Sequence, residues 1–382
     1  MSDGYGSGVT RHDVIIVGAG PAGLGAAARL RGAGFDPVVI ERADTIGSAW
    51  RSRYDSFRLH TIRWLSGLPG MAIPASCGSW VTRDDFIAYL ESYAARFGVV
   101  PQLGVELHGL TAAPHGGWTL TTSMGQLEAR RVVLATGACT APRMATWPGS
   151  ESFRPPVLHS SRYRNPGPYA GQTVLVVGSG NSATEIATDL AASGTVRVEM
   201  AVRTPPAILR RDTRGIPTQP IGIALRHAPP AVVDPLGAAM RRLTIPDLSA
   251  YGLPAPKRPY SQFLRGGTVP VLDHGFVTAV RSGKITVRPG VAALAGDEVL
   301  HSDGSRSGPD AVIAATGYTP GLEPILGELG LIDARGLPTV GSRGAANKPD
   351  GLYTVGIAIL LSGLLREIGK DANRLERTFT RS

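Results

Sequence analysis

The stretch Val14-Ile-Ile-Val-Gly18-Ala-Gly20-Pro-Ala-Gly23 joins an apolar run to three glycines in the spacing GxGxxG. The apolar run predicts a buried strand, and the residues after the glycines predict a helix. The first glycine permits a tight turn, the second lets the backbone approach a pyrophosphate, and the third packs the helix against the strand. The helix N-terminus presents free N–H groups and a positive dipole end to the phosphates. The stretch therefore predicts a dinucleotide-binding βαβ unit.

The pattern occurs a second time, in Val174-Leu-Val-Val-Gly178-Ser-Gly180-Asn-Ser-Ala183. An apolar run again precedes the glycines, and alanine is small enough for the third position. A single GxGxxG is a weak signal, but two copies that each follow a predicted strand and precede a predicted helix are specific. The repeat predicts an α/β fold with two Rossmann-like dinucleotide-binding domains.

The strand behind each glycine turn distinguishes the two cofactors. Pro37–Glu41 ends in a carboxylate, which accepts hydrogen bonds from a ribose with a free 2′-hydroxyl. Val196–Arg203 ends in a guanidinium, which suits a 2′-phosphate. The first domain is therefore predicted to bind FAD, with NAD as the alternative, and the second domain is predicted to bind NADPH.

The order of these motifs predicts that the NADPH-binding domain is inserted into the FAD-binding domain. We expect the FAD-binding domain to hold residues 1–170 and 291–382. The NADPH-binding domain is expected to hold residues 171–290, with an irregular, Pro-rich lobe at 205–270. The Pro/Gly-rich segment Asn165–Gly171 marks the first crossing between the domains.

Two further apolar runs end in the triplet Ala-Thr-Gly, at Ala135-Thr136-Gly137 and at Ala315-Thr316-Gly317. Because glycine at a strand end allows close approach of a ligand, both triplets are predicted to lie near a cofactor. Between the two glycine motifs, Thr82–Phe97 is predicted to be an amphipathic helix with Thr82 as its N-cap.

The composition excludes several classes of protein. With 43% hydrophobic and 18% charged residues in a chain of 382, a disordered chain is excluded. The chain has 49 Gly and 30 Pro without a strict period, which excludes collagen. The net charge of +9 comes from scattered basic residues with no dense block, so no nucleic-acid partner is predicted. The positive balance suits anionic cofactors or substrates.

The two cysteines, Cys77 and Cys139, are isolated and form no CxxC motif. This pattern argues against a disulfide-rich secreted domain and against a zinc site, and no metal site of any kind is predicted. The N-terminus has no apolar signal core, and no apolar run is long enough to cross a bilayer. We therefore expect a soluble, cytoplasmic protein with no membrane partner.

The segment Phe153-Arg-Pro-Pro-Val-Leu-His159-Ser-Ser-Arg-Tyr163 resembles the FxGxxxHxxx(Y/F) fingerprint of flavin-containing monooxygenases, with Pro155 in place of the glycine. Together with the two dinucleotide motifs, it makes nearly the whole chain resemble the class B flavin monooxygenases, most closely their YUCCA-like branch. Further matching segments are Glu41–Trp50, Arg58–Thr61, Thr268–Asp273, Ala315–Tyr318 and Gly351–Gly356. Arg164 stands where Baeyer–Villiger members typically have Trp-Pro, which disfavours that branch.

The resemblance implies an NADPH-dependent flavin monooxygenase. Such an enzyme forms a C4a-(hydro)peroxyflavin and inserts one oxygen atom of O2 into a small organic substrate, either an N or S nucleophile or a 2-oxo acid. One alternative is a non-oxygenating NADPH-dependent flavin oxidoreductase or oxidase, and another is a non-catalytic flavin-binding partner subunit. Disulfide-reducing relatives need a redox-active cysteine pair, which the isolated cysteines disfavour. A homodimer is left open as the assembly.

The motifs and the resemblance together assign the candidate site residues, none of them to the chemical step itself. The fingerprint residues Phe153, His159 and Tyr163 are expected to support the junction of the two domains. The residues predicted to bind FAD are Gly18, Gly20, Pro21, Ala22, Gly23, Glu41, Arg42, Trp50, His60, Val105, Ala135, Thr136, Gly137, Gly317 and Gly356. The residues predicted to bind NADPH are Gly178, Gly180, Asn181, Ser182, Ala183, Arg203 and Thr204. Many family members have an Asn after Thr61, where this chain has Ile62-Arg63-Trp64, and we assign Arg63 and Trp64 to a pocket wall.

Overall fold

The structure is a computed structural model that describes residues 10–213, 216–225, 228–256, 261, 269–341, 350–357, 359–360 and 362–381. Its helices are α1 (Pro21–Gly32), α2 (Ser48–Arg51), α3 (Arg63–Ser66), α4 (Arg83–Arg96), α5 (Asn181–Ala192), α6 (Gln219–Leu225), α7 (Pro230–Thr244), α8 (Phe276–Arg281), α9 (Glu323–Leu326) and α10 (Leu364–Phe379). Its strands are β1 (Arg11–Val17), β2 (Val38–Glu41), β3 (Gln102–Leu103), β4 (Leu107–Ala112), β5 (Trp118–Thr122), β6 (Gly125–Leu134), β7 (Ala141–Pro142), β8 (Val157–His159), β9 (Thr173–Val177), β10 (Arg197–Val202), β11 (Ile208–Arg210), β12 (Asp212–Thr213), β13 (Ile216–Pro217), β14 (Val271–Asp273), β15 (Ile285–Pro289), β16 (Val291–Ala295), β17 (Glu298–His301), β18 (Arg306–Ser307), β19 (Ala311–Ala314), β20 (Tyr318–Thr319) and β21 (Leu352–Thr354). Thr268 and parts of the 205–270 lobe lie outside the described residues.

The first glycine motif lies in a sheet with strand order β3-β2-β1-β6-β5-β4, and β21 also pairs with β6. Strands β3, β2, β1, β6 and β21 are parallel, whereas β4, β5 and β6 form antiparallel ladders. The central strand β1 is covered on both faces, since Val14, Ile15 and Ile16 are all 0% exposed. This explains why the sequence there is a continuous apolar run rather than an alternating one.

The second glycine motif lies in a five-stranded parallel sheet with order β15-β10-β9-β19-β8. The two sheets confirm the prediction of an α/β fold with two Rossmann-like units. The second sheet also includes β8 from before residue 171 and β19 from after residue 290. These strands join the sheet by parallel ladders, in which Val312 pairs with Leu175 on one side and Val157 on the other.

The predicted amphipathic helix is α4, and it begins where the sequence indicates. Thr82 is the N-cap residue, and its hydroxyl accepts a hydrogen bond from the Asp85 N–H at 3.1 Å. Asp84 and Asp85 in the first turn complement the positive end of the helix dipole. Phe86 and Leu90, both 0% exposed, face the core of the first unit.

The described part of the 205–270 lobe is more regular than its Pro content suggests, since it contains α6 and α7. Pro230 occupies the first turn of α7, where a proline needs no N–H partner and its fixed φ favours the helix. Pro235 lies inside the same helix. Prolines that indicate irregular chain in the sequence therefore begin, or are tolerated within, helices in the structure.

Candidate active site

The first glycine turn forms one end of a cavity of about 680 Å³ at the carboxyl ends of β1, β2 and β6. Most of the residues that the sequence assigns to FAD lie in its wall. They are Gly18, Gly20, Pro21, Ala22, Glu41, Arg42, Trp50, Val105, Ala135, Thr136, Gly137 and Gly356. The structure thus brings these residues together around one space, although they come from segments far apart in the chain.

Each glycine of the first turn has a distinct steric reason. Gly18 has φ +111°, and a Cβ there would lie 2.7 Å from the Ala135 carbonyl oxygen. A Cβ at Gly23 would lie 1.8 Å from the Gly18 carbonyl oxygen, so this glycine packs α1 against the turn instead of lining the cavity. A Cβ at Gly20 meets nothing within 4 Å and would project into the cavity. The turn therefore leaves room for a ligand at the N-terminus of α1.

Glu41 ends β2 in the wall of the first cavity, and the side chain organises the backbone around it. Its carboxylate accepts hydrogen bonds from the Ala19 N–H at 2.8 Å and from the Ala43 N–H at 3.0 Å. The residue is only 8% exposed. The carboxylate therefore holds the glycine turn against the end of β2 and lies where the sequence predicts a ribose contact.

The second glycine turn borders another cavity of about 680 Å³. Gly180, Asn181 and Ser182 lie in its wall, and a Cβ at Gly180 would meet nothing within 4 Å. Gly178 and Ala183 lie behind the turn: Gly178 has φ +137°, and Ala183 is 0% exposed. The rest of the wall is largely apolar and includes Leu209, Leu225, Met240, Leu272, Leu360 and Leu365.

The two cavities meet at a set of shared wall residues, which we call the junction. The junction residues are Trp50, Arg53, Cys139, Ser160, Ser182, Tyr318 and Leu364. Ser160 Oγ is buried and has no hydrogen-bond partner among the described residues, and the same holds for Thr136 Oγ1 in the first cavity. Buried polar atoms normally have a partner. Two orphaned hydroxyls and the open space beside Gly20 therefore fit a polar dinucleotide such as FAD in the first cavity.

Of the three fingerprint residues, His159 lies beside the junction, Tyr163 contacts α5, and Phe153 does neither. Nε2 of His159 donates to the Gly317 carbonyl at 3.0 Å while Nδ1 accepts from the Ser161 N–H at 3.1 Å. Burial lowers the pKa of the His159 imidazole, which favours its neutral form. Tyr163 is 1% exposed, and its hydroxyl donates to Asp189 on α5 at 2.6 Å. Phe153 packs instead beneath the small β16–β17–β18 sheet.

A buried carboxylate, that of Glu185 on α5, joins the two units. It accepts a hydrogen bond from the Tyr54 hydroxyl, and one of its oxygens lies 2.6 Å from Nε2 of His60 and 3.9 Å from Nε2 of His274. Burial raises the pKa of the Glu185 carboxyl, but the attraction and hydrogen bonds of His60 and Tyr54 outweigh burial and hold the pKa below its ordinary value. The ionised carboxylate therefore fastens α5 to the segment that follows Trp50.

Other predicted residues lie elsewhere. His60 and Gly317 line the second cavity and not the first. Arg203 and Thr204 are exposed at the end of β10 and line neither cavity. Arg63 and Trp64, which the sequence assigns to a pocket wall, line neither of the two cavities. Trp64 is 59% exposed, and the Arg63 guanidinium instead donates to the Ile73 carbonyl at 3.0 Å.

Reasoning from the sequence missed several residues of the junction and of the contact between the units. They are Arg53, Tyr54, Cys139, Ser160, Glu185 and Tyr318. Arg53 and Tyr54 closely follow the matched segment Glu41–Trp50, and Glu185 follows the second glycine motif within one turn of helix. Such proximity to a motif is the one signal in the sequence that could have pointed to them.

The described residues contain neither a metal-binding cluster nor a membrane-spanning helix. No group of three or more His, Cys, Asp or Glu side chains in that part of the chain could hold a metal ion. Within the same residues, no helix has the length and apolarity needed to span a membrane. Both cysteines are free thiols.

Comparisons with known proteins place this geometry in a family. The pyridine nucleotide-disulphide oxidoreductase family model matches residues 15–214. The chain is 37% identical to indole-3-pyruvate monooxygenase YUCCA1 of Oryza sativa subsp. japonica, across 90% of this chain and 86% of the relative. It is 34% identical to the probable indole-3-pyruvate monooxygenase YUCCA4 of Arabidopsis thaliana, across 90% and 84%.

A solved structure agrees with the sequence relatives on the fold. The flavin-containing monooxygenase from Stenotrophomonas maltophilia superposes with a TM-score of 0.75 at 23% identity, covering 97% of this chain and 99% of that one. The relatives confirm the resemblance that the fingerprint and the two glycine motifs indicated, and they favour the monooxygenase over the alternatives. The chain belongs to the class B flavin monooxygenases, a family that uses FAD and NADPH, and within it to the YUCCA-like branch.

Proposed function

We propose that the first cavity binds FAD, that the second cavity binds NADPH together with the substrate, and that the reaction takes place at the junction. The observation that carries this proposal is the sharing of wall residues by the two cavities. At this shared wall, a group held by the second glycine turn could contact a group held by the first. The orphaned hydroxyl of Ser160 lies in this shared wall.

We propose a 2-oxo acid with an apolar body as the substrate. The relatives named above are indole-3-pyruvate monooxygenases, and indole-3-pyruvate is such an acid. The leucines of the second cavity suit an apolar body, and Arg53 at the junction supplies a positive charge near its inner end. A sulfide or amine nucleophile is the second candidate, since an apolar cavity accepts these as well.

When bound, FAD accepts two electrons from NADPH and uses them to activate O2. The protein positions the reactants and excludes water. The N-terminus of α1 would hold the pyrophosphate of FAD, and the N-terminus of α5 would hold that of NADPH. The apolar wall of the second cavity keeps water from the junction. His159 holds the Gly317 carbonyl in the wall, and the Glu185 carboxylate sets the position of α5 relative to the first unit.

In the proposed reaction, each molecule of substrate consumes one O2 and one NADPH. The 2-oxo acid anion, O2, NADPH and one proton give the acid anion shortened by one carbon, CO2, NADP⁺ and water. The bond between the carbonyl carbon and the carboxylate carbon breaks, and the new C–O bond forms at the former carbonyl carbon. One oxygen atom of O2 enters the acid and the other enters water, while NADPH supplies the two electrons.

NADPH in preference to NADH is a further part of the proposal, and Arg203 supports it. The residue is exposed at the end of β10, beside the second glycine turn, as the 2′-phosphate of NADPH requires. The domain boundaries, the cytoplasmic location and the homodimer stay predictions of the sequence.

The test is product analysis with the purified yellow holoenzyme under ¹⁸O2. We expect a 2-oxo acid such as indole-3-pyruvate to yield the shortened acid with one ¹⁸O atom, CO2, and one NADP⁺ per product. A panel of sulfides and amines is assayed in parallel, and oxygenation of these alone would transfer the proposal to the second candidate. NADPH consumption matched by hydrogen peroxide release with every substrate would contradict both and support an oxidase.

A further inference from the structure

Arg53 occupies an unusual position in the molecule, because its side chain lies in the walls of both cavities. The guanidinium lies over the ring of Tyr318, with Cζ 5.2 Å from the ring centroid. It also contacts the thiol of Cys139. Tyr318 and Cys139 are themselves junction residues, so the positive charge lies where the two cavities meet.

In the part of the chain that the structure describes, the charge of Arg53 has no carboxylate partner. Among the described residues, no Asp or Glu forms an ion pair with it, whereas neighbouring Arg51 pairs with Glu91 and Arg83 pairs with Asp55. The Cys139 thiol does not supply a negative charge either, because burial raises its pKa above the ordinary value. An arginine that lines a cavity without an anionic partner is suited to an anion brought by a ligand.

The surroundings of Arg53 suit one end of a ligand that is otherwise apolar. The hydroxyl of Ser160, which is 4% exposed, is a second polar group of the junction without a partner among the described residues. Leu209, Leu225 and Leu272 lie in the wall of the second cavity beyond it. The second cavity therefore combines a largely apolar wall with the positive charge of Arg53 at the junction, where the first cavity begins.

We propose that Arg53 is the specificity-determining residue that binds the carboxylate of the substrate and sets its 2-oxo carbon at the junction. This inference rests on the proposed function, since it takes the 2-oxo acid as substrate. A carboxylate held by Arg53 leaves the adjacent carbonyl carbon beside the first cavity and directs the apolar side chain into the second. The same residue then explains why an acid is preferred to a neutral ketone of the same shape.

The experiment compares Arg53→Gln and Arg53→Lys with wild-type holoenzyme by isothermal titration, using two probes that do not react. The probes are indole-3-acetate, which carries a carboxylate, and indole-3-acetamide, its neutral counterpart. We expect Arg53→Gln to weaken binding of the acetate roughly 10- to 100-fold, because a charge-assisted hydrogen bond is lost, and to change binding of the amide less than about 3-fold. Arg53→Lys retains the charge and should recover part of the affinity for the acetate.

The matched control is Arg306→Gln, which removes the same charge from β18. Arg306 pairs with Glu298, is 64% exposed in its side chain, and lines neither cavity. We expect it to bind both probes as wild type does. A drop as large as that of Arg53→Gln would show a non-specific effect of net charge and overturn the proposal.

Three other results would also overturn it: equal loss of acetate and amide affinity in Arg53→Gln, an equal loss of NADP⁺ affinity, or loss of flavin from both Arg53 variants. The last two would assign Arg53 to a cofactor. Failure of the proposed function is distinguishable, since it is decided by the products of the wild-type enzyme. The role of Arg53 is decided by the ratio of acetate to amide affinity in the variants.

Discussion

Replacing Glu185 by Gln removes a buried negative charge that fastens α5 to the first unit. The wild-type carboxylate is 6% exposed and is contacted by the Tyr54 hydroxyl and, at 2.6 Å, by Nε2 of His60. A hydrogen bond to a charged group is worth about 1.5–3 kcal/mol. Because the amide keeps one acceptor oxygen, we expect a loss of about 2–3 kcal/mol in the free energy of unfolding.

The expected loss in the free energy of unfolding corresponds to a modest decrease in melting temperature. An unfolding entropy of about 2.1 cal/mol/K per residue corresponds to about 0.8 kcal/mol/K for a chain of 382 residues, so Tm should fall by roughly 2.5–4 °C. Differential scanning calorimetry of the holoenzyme at pH 7 measures it. We also expect slower reduction of the bound flavin by NADPH in anaerobic stopped flow, because α5 carries the second glycine turn and loses a fixed distance to the first unit.

The stabilisation that the Glu185 carboxylate provides depends on pH with a definite sign. The pKa of the Glu185 carboxyl is lower in the folded protein than the ordinary value of 4.5. The stabilisation it provides is therefore fully present above the ordinary pKa and is lost as the pH falls through the folded pKa. The difference in Tm between wild type and Glu185→Gln should shrink once the pH falls below 4.5.

Glu199→Gln is the matched control. Glu199 on β10 pairs with Arg288 at 2.6 Å, within the second sheet, and its side chain is 12% exposed. Its replacement should lower Tm while leaving the rate of flavin reduction unchanged. The reasoning is refuted if Glu185→Gln leaves Tm within about 1 °C of wild type, or if it slows flavin reduction no more than Glu199→Gln does.

Three further predictions concern the cofactor sites and the contact between the units. Gly20→Val should abolish flavin retention, seen as loss of yellow colour, because the valine side chain would fill part of the first cavity. Gly180→Val should retain flavin and lose affinity for NADP⁺. The reverse pattern would show that the two cofactor sites must be exchanged. Arg203→Ala should raise KM for NADPH at least ~10-fold more than KM for NADH, and equal effects would remove its role at the 2′-phosphate. Tyr163→Phe deletes the hydrogen bond to Asp189 at 2.6 Å and should lower the free energy of unfolding by about 1.5–3 kcal/mol. Calorimetry should then show a drop in Tm of roughly 2–4 °C, and an unchanged Tm would contradict that contact.

The local parts of the fold could be predicted because their signals are local. Gly18 has the positive φ of +111° that glycine favours, and the clash that requires Gly23 is with the carbonyl of Gly18 in the same turn. The N-cap of α4 at Thr82 is likewise set by residues within one turn. The helices of the 205–270 lobe were harder to predict, because a proline can begin a helix as well as end one.

The strand membership of the second sheet could not be predicted in the same way. Strand β19 pairs with both β8 and β9, so a strand from late in the chain lies between two strands that are close together in sequence. Apolar runs of four residues are alike in sequence, and only the hydrogen bonds of the folded sheet decide which neighbour each takes.

The sequence by itself determined that two dinucleotide turns are present and, through the fingerprint that ends in His159 and Tyr163, which family the chain resembles. Only the tertiary structure decided which side chains meet between those turns. Tyr54 and Glu185 lie 131 positions apart, yet their side chains are hydrogen-bonded, and Arg53 lies in two cavities at once. The physical reason is that a glycine turn is encoded by short-range sterics, whereas the junction is created by the packing of one unit against the other.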